Sequence, residues 1–461
     1  MVDIFVSKGL DIPLEGRAKG NLKSFDNEEL KTTTELEFLS LNLRPFESTR
    51  FKLNKKVGDK VLAGEGIAED KSCKGRLFVA PASGTIVELK RGLKRRLLDV
   101  VIKLDSQEHY HQFPSFNLSQ ASKEQVIEHM KASGLFSRIK ARPFDLLADP
   151  DKAPKSIFIK AIESAPFTTP QEMQVKGMEK EFQLGVDVLS KLTEGSVHLV
   201  HKKNCSLDAF TKVQNAKCHS FSGPHPCANP SLHIYHIDPI KNYKETVWTL
   251  DAYDVLCIGH LFLHNKILTD KIIALCGPGI IEEKRGFYKA RQGYPIHRLC
   301  AGKLSGKMRY ISGDVLTGEQ VSSEDYLSFF DSSFSVIPEN TERELLHFFR
   351  PGFGKFSATK TYISGYLKNL RKTYPFSTNQ HGEQRAFIDA NVYDSVMPMR
   401  VPTVPLIKAI MAEDFDLAEE LGLLEIASED FALPTFICPS KIEMCEIVDQ
   451  GLKKYAQEVL S

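Results

Sequence analysis

His225 stands between two prolines in the run Ser222-Gly223-Pro224-His225-Pro226. The prolines fix φ on either side of the imidazole and stiffen the loop. Rigid loops that present a polar side chain often serve sites, and histidine titrates near neutrality. The alternative is a loop histidine that caps a strand end. His219, His233 and His236 lie nearby in the chain. A metal would need several of them to converge, but alternation along a strand sends His233 and His236 to opposite faces, so no metal site is expected. The nine cysteines are Cys73, Cys205, Cys218, Cys227, Cys257, Cys276, Cys300, Cys438 and Cys445, and none forms a C-x-x-C pair. Zinc ribbons and iron–sulfur loops need closely spaced thiolates. These cysteines read instead as reduced, buried small hydrophobes.

The elements that would position these groups follow from length and pattern. A chain of 461 residues is too long for one ordinary core, so three or four domains are expected. Apolar residues make up 42% and charged residues 26%, with a formal net charge of +1. That balance is globular and lacks the basic excess of a nucleic-acid binder. The basic run Lys90-Arg91-Gly92-Leu93-Lys94-Arg95-Arg96 reads as a solvated turn, or as a contact with acidic lipid or a partner. No apolar run approaches the roughly 20 residues of a membrane span. The start, Met1 to Lys8, is no signal peptide, which implies a cytoplasmic location.

Residues 1–105 read as β, with turn residues at Val57-Gly58-Asp59-Lys60-Val61-Leu62-Ala63-Gly64 and at Ala80-Pro81-Ala82-Ser83-Gly84-Thr85. In 106–260, a strand at Ser156-Ile157-Phe158-Ile159-Lys160-Ala161, a helix from Pro170 to Leu192 and a strand at Val197-His198-Leu199-Val200 predict a parallel α/β layer. Asp254-Val255-Leu256-Cys257-Ile258-Gly259 is expected to add a strand to it. Residues 261–330 return to short β segments at 271–279 and 309–314, with a helix near Ile296 to Ala301 between them. Residues 331–461 read as helical at Leu406–Met411 and Phe415–Leu421, with Gly422 as a C-cap.

The paired hairpins of the first region resemble the biotinyl/lipoyl carrier fold. Carriers modify a Lys at a hairpin tip; here the tip is Glu69-Asp70-Lys71-Ser72-Cys73-Lys74-Gly75, without the flanking Met or Ala, and no modification is expected. Five further segments carry a second resemblance. They are Lys8-Gly9-Leu10-Asp11-Ile12-Pro13-Leu14, Ala80 to Thr85, Arg142-Pro143-Phe144, Phe221 to Pro226 and Cys438-Pro439-Ser440-Lys441. In this order they resemble the A subunit of the sodium-translocating NADH:quinone reductases, which is similar to the C subunit of the Rnf complex and to the flavin-binding subunit of complex I. His381-Gly382-Glu383-Gln384-Arg385 and Tyr393-Asp394 resemble family segments too, but place no acid/base pair.

The resemblance implies a mixed α/β and β multidomain fold: a biotinyl/lipoyl-like barrel in 1–105, a Rossmann-like layer resembling a degenerate flavin domain in 106–260, an SLBB-like β-grasp domain in 261–330, and a helical domain in 331–461 resembling a ferredoxin-like domain without its clusters. In the flavin-binding relatives a Gly-rich loop holds the FMN phosphate, because glycine lets backbone N–H groups approach an anion. Here Ser133 to Phe144 has one glycine, and Phe136 and Ile139 would block that approach. The relatives' acidic loop is reduced to Glu163-Ser164-Ala165-Pro166. Aligned on Cys438, the other cluster-ligand positions fall on Pro434, Phe431 and Ser428, and no cysteine occurs near Met397-Pro398-Met399. No cofactor is therefore expected on this chain. FAD, FMN and iron–sulfur centres would sit on other subunits.

The implied function is that of a peripheral, non-catalytic subunit on the cytoplasmic face of the bacterial inner membrane. The complex, with partner subunits B to F, would pass electrons from NADH to ubiquinone and export sodium. The chain would contribute to assembly and to quinone interaction beside the quinone-side membrane subunit. The alternative is a pure assembly scaffold. An independent NADH-oxidising flavoenzyme is disfavoured by the missing phosphate loop. Flavin-type α/β layers bind ligands at the carboxyl ends of their strands, so quinone contact is expected at the loop from Glu163 to Phe167 and at Phe221 and His225. Phe221, Trp248 and Phe262 would suit a quinone pocket; core packing is their default use.

Overall fold

The computed structural model describes residues 2–24, 36–300, 303–340, 349–369 and 371–460. The β-rich start forms two small antiparallel sheets. One takes Phe38–Asn42, Leu97–Leu104, Gly84–Arg91 and Lys60–Val61; the other takes Phe51–Leu53, Gly66–Asp70 and Leu77–Val79. Leu41, Ile67, Phe78, Ile86, Val100 and Ile102 fill the space between them. Lys71 sits in the turn that joins the last two strands of the second sheet.

The central layer is a seven-stranded sheet. Asp3–Phe5, Lys217–Ser222, Ser196–Lys202, Ser156–Ala161 and Val247–Asp251 run parallel in that spatial order. Lys140–Arg142 and Leu146–Leu147 complete one edge antiparallel. Alternate residues of the central strand enter different cores. Ile157 and Ile159 pack with helices Glu179–Ser190 and Ala252–His264. Phe158 packs with Leu232 and Ile234 of helix Pro230–Ile237 and with C-terminal residues such as Leu406 and Val448. Both faces are covered, which is why the strand reads as nearly continuous apolar sequence.

Three expectations about this layer are corrected. The run Asp254–Gly259 is not a strand but part of helix Ala252–His264; the strand is Val247–Asp251 just before it. The helix is buried on nearly every side, so its apolar run lacks the polar face that marks a surface helix. The expected helix from Pro170 to Leu192 is two helices, Gln171–Val175 and Glu179–Ser190. Gly177 breaks them at φ +88°, a conformation that glycine adopts without steric penalty. His233 and His236 lie on helix Pro230–Ile237 rather than a strand, with Pro230 in the first turn, where its missing N–H removes no helical bond.

A six-stranded mixed sheet follows, in the order Glu319–Val321, Met308–Ser312, Ser333–Pro338, Asp270–Cys276, Gly286–Arg291, Leu22–Ser24. Helix Ile296–Leu299 lies where a helix is expected; Ala301 is outside the described residues. The chain ends in helices Thr403–Met411, Phe415–Glu420, Ala432–Ile437 and Met444–Leu460. Gly422 follows the second of them at φ +98°.

Candidate functional site

Strand order turns the site's geometry into a consequence of topology. From Ser156–Ala161 the chain crosses to one side, to Ser196–Lys202 and then Lys217–Ser222, before returning to Val247–Asp251 on the other side. The connections leaving Ala161 and Asp251 therefore diverge, and the carboxyl ends of these neighbouring strands form the switch point at which α/β layers bind ligands. Lys160 lies two residues beyond Phe158 and so faces the C-terminal helices.

Lys160 Nζ is 3.2 Å from Glu163 Oε1 and 3.7 Å from Asp251 Oδ1. Gln171 Nε2 donates to Glu163 Oε1 at 2.7 Å. Burial pulls Lys160 down, but the carboxylates of Asp251, Glu163 and Glu429 hold it above the ordinary lysine value. Burial, with the charge of Asp251, pushes Glu163 up to about 7 against the opposing pull of Lys160. One cation surrounded by several acids leaves one acid free to take a proton near neutral pH.

His225 approaches from the loop after Lys217–Ser222, two strands away. Its Nδ1 lies 2.9 Å from Ser164 Oγ, and its backbone N–H donates to Asp11 Oδ1 at 3.0 Å. Its carbonyl accepts from Leu10 N–H at 2.8 Å. The N-terminal segment thus straps the loop down. Gly9 permits this contact: at φ +146° a Cβ would lie 2.2 Å from the His225 carbonyl oxygen. The His225–Pro226 peptide is cis. His225 is 4% exposed, and its Nε2 is buried with no hydrogen-bond partner among the described residues. Burial, helped by the positive charge of Lys160, lowers it to about 4, so the ring is neutral.

The four expected contact residues separate into two pairs. Glu163 and His225 come together across Ser164. Phe221 and Phe167 are buried in the core beneath: Phe221 packs edge-on to His233 at 4.7 Å, and the Phe167 carbonyl lies 3.7 Å from Cys276 Sγ, which donates to it. Trp248 and Phe262 sit in the opposite core, so these aromatics form no common pocket. Ser164 lies in the expected contact loop, whereas Lys160, Asp251, Gln171 and Asp11 were not singled out as site residues from the sequence. A lysine at the end of a buried apolar strand was the available signal. The four histidines do not converge: His219 Nε2 faces His198 Nδ1 at 2.9 Å, and His233 Nε2 donates to the Cys227 carbonyl at 3.0 Å.

The stretch Ser133 to Phe144 is packed rather than open. Phe136 is fully buried against Trp248, with ring centroids 5.5 Å apart. Arg138 donates to Asp254 Oδ1 and to Gln292 Oε1, both at 2.7 Å. At the other end, Cys438 is buried with Sγ 3.1 Å from the Tyr393 hydroxyl. The C-terminal region packs onto this face of the layer through Arg142, which donates to Glu429 Oε1 at 2.9 Å, and through Asn229, which donates to Asp430 Oδ1 at 2.8 Å.

These parts define a class: multidomain chains that join a barrel-sandwich, a Rossmann-like layer, an SLBB-type sheet and terminal helices. Family models match in the same order: the NqrA N-terminal barrel-sandwich hybrid domain over residues 4–105, the NqrA second alpha/beta domain over 121–267 and the NQRA C-terminal domain over 272–323. The Na(+)-translocating NADH-quinone reductase A subunit of Chlamydia pneumoniae is 40% identical over 99% of this chain and 98% of its own length. That of Chlamydia caviae is 39% identical over 99% and 97%, and that of Yersinia pseudotuberculosis 35% over 99% and 100%. The chain belongs to the NqrA family, the A subunits of the Na(+)-translocating NADH-quinone reductases, an oxidoreductase complex. Among the described residues no helix is long and apolar enough to cross a membrane.

Proposed function

We propose that the chain is the peripheral, non-catalytic A subunit of a sodium-translocating NADH:ubiquinone reductase, held on the cytoplasmic face of the bacterial inner membrane by subunits B to F. It contributes to assembly and to quinone interaction, the latter beside the quinone-side membrane subunit. NADH oxidation, the flavins FAD and FMN, the iron–sulfur centres and the sodium route belong to the other subunits. The family supports complex membership. The observation that carries the quinone reading is the cluster at the carboxyl ends of the strands, where such folds bind ligands: Glu163, which burial pushes up to about 7, sits beside Ser164 and His225 with its unpaired Nε2. Quinone reduction consumes protons as well as electrons, and its ring oxygens accept hydrogen bonds.

Burial favours the scaffold reading as a second one. His225, Phe167 and Phe221 are all buried, so a quinone reaches His225 only if the strap formed by Gly9, Leu10 and Asp11 lifts. Without that movement it meets only the surface near Asp251, whose side chain is 40% exposed. Glu163→Gln and His225→Ala, each in the assembled complex, separate the two readings. A raised quinone KM or a lower turnover with intact assembly supports quinone interaction. Unchanged kinetics in both variants leaves the scaffold role.

A further inference from the structure

Away from this cluster, helices Glu179–Ser190 and Ala252–His264 touch backbone to backbone. A Cβ on Gly259 would lie 1.6 Å from the Glu181 carbonyl oxygen and 2.6 Å from Gly185 N; one on Gly185 would lie 2.1 Å from the Val255 carbonyl oxygen. Side chains flanking so close a crossing are held at short range. They are Glu181 on one helix and His260 and His264 on the other. The histidines, four residues apart, share a helix face, with ring centroids 4.5 Å apart. His264 Nε2 lies 3.1 Å from Glu181 Oε1. One ligand atom from each of the three residues lies within 4.8 Å of the other two.

We propose that Glu181, His260 and His264 form a binding site for a zinc-class divalent transition ion that pins the two helices together. Two imidazole nitrogens and one carboxylate make a known zinc donor set that leaves a fourth position for water. Magnesium and calcium prefer oxygen ligands alone. The ligands must be unprotonated to bind. Lys266 opposes a bound cation, while Glu181 and Asp270 favour it. A plain hydrogen bond between His264 and Glu181 accounts for two of the three groups. It leaves His260 unexplained, whose Nδ1 is buried without a partner among the described residues.

The test uses the full chain stripped with a chelator, then titrated with Zn2+ by calorimetry and with Co2+ by visible absorption. The expected result is one saturable site, cobalt d–d bands of a low-coordinate ion, and a Tm that rises with Zn2+ because the ion binds only the folded state. His264→Gln and Glu181→Gln should each weaken Zn2+ binding by more than the roughly 10–100-fold that loss of a supporting partner costs, and should remove the Tm rise. His297→Gln, on a separate helix, should change neither. Glu181→Gln keeps the shape of the helix contact, so loss of zinc with unchanged apo Tm isolates the metal role. Equal Zn2+ affinity in wild type and both site variants, or no saturable binding in wild type, would overturn the proposal.

Discussion

Ser164 Oγ lies 2.9 Å from Nδ1 of His225 and accepts the backbone N–H of Ala228 at 3.1 Å. A single hydroxyl therefore ties the loop after the central strand to the Pro-His-Pro loop that follows Lys217–Ser222, two strands away in the sheet. The arrangement that uses its full capacity gives the hydroxyl hydrogen to Nδ1 and leaves the ring hydrogen on Nε2.

Ser164→Ala removes one partner from each of two buried groups. Leaving a buried donor or acceptor unpaired costs about 1–3 kcal/mol, so the variant should unfold at lower urea concentration with an unchanged m value. A variant as stable as wild type would show that the loops are held by the N-terminal strap alone.

Glu163 makes stability fall as pH rises. Its folded value of about 7 lies above the ordinary 4.5, so between those pH values the folded state binds more protons than the unfolded one. The contribution is fully present below 4.5 and is lost by pH 7, an effect of about 3 kcal/mol. Glu163→Gln should flatten this part of the stability-against-pH curve; an unaltered slope from pH 5 to 7 would show that Glu163 titrates normally.

Arg138 and Asp254 form a buried ion pair, with side chains 5% and 9% exposed. Asp254→Ala leaves the guanidinium buried with only Gln292 as a side-chain hydrogen-bond partner, at an expected cost of about 3–5 kcal/mol. Joint replacement by Arg138→Met and Asp254→Leu should recover much of that loss. Additive losses in chemical denaturation would contradict the pairing.

Gly259→Ala forces a methyl into the Glu181 carbonyl, a contact that only backbone movement relieves. Overpacking of this kind costs about 1–3 kcal/mol or more. Thermal unfolding should show the loss, whereas Gly177→Ala, where a Cβ meets no atom within 4 Å, should lose less through its left-handed backbone alone.

The order of elements was legible because hairpin turns, strand–helix–strand alternation and a periodic helical end are local signals. The burial of Phe136 against Trp248 follows from its apolar bulk. The pattern misled where burial removes contrast. Val255 to Ile258 read as a strand because a helix enclosed on nearly every side shows no polar stripe. That error also hid the spacing of His260 and His264, which is meaningful only on a helix. Lys160 and Asp251 were missed because a charge at a strand's end is ordinary until strand order shows that the two strands are neighbours with diverging loops. The prediction that Glu163 and the His225 loop approach one another rested on where α/β layers bind ligands. The burial of Phe167 and Phe221 depends on the N-terminal and C-terminal segments covering that edge, which no local pattern reports.

The first two strands lie in different sheets. Asp3–Phe5 lies along Lys217–Ser222, and Leu22–Ser24 lies along Gly286–Arg291. A ribosome makes these short segments before their partners, more than two hundred residues ahead in each case. During synthesis they must wait unpaired while the first barrel closes, since domains fold as units from the N-terminus and long-range pairings form slowly. These strands are thus among the last to find their place, and their docking reports that the α/β layer and the six-stranded sheet have already formed.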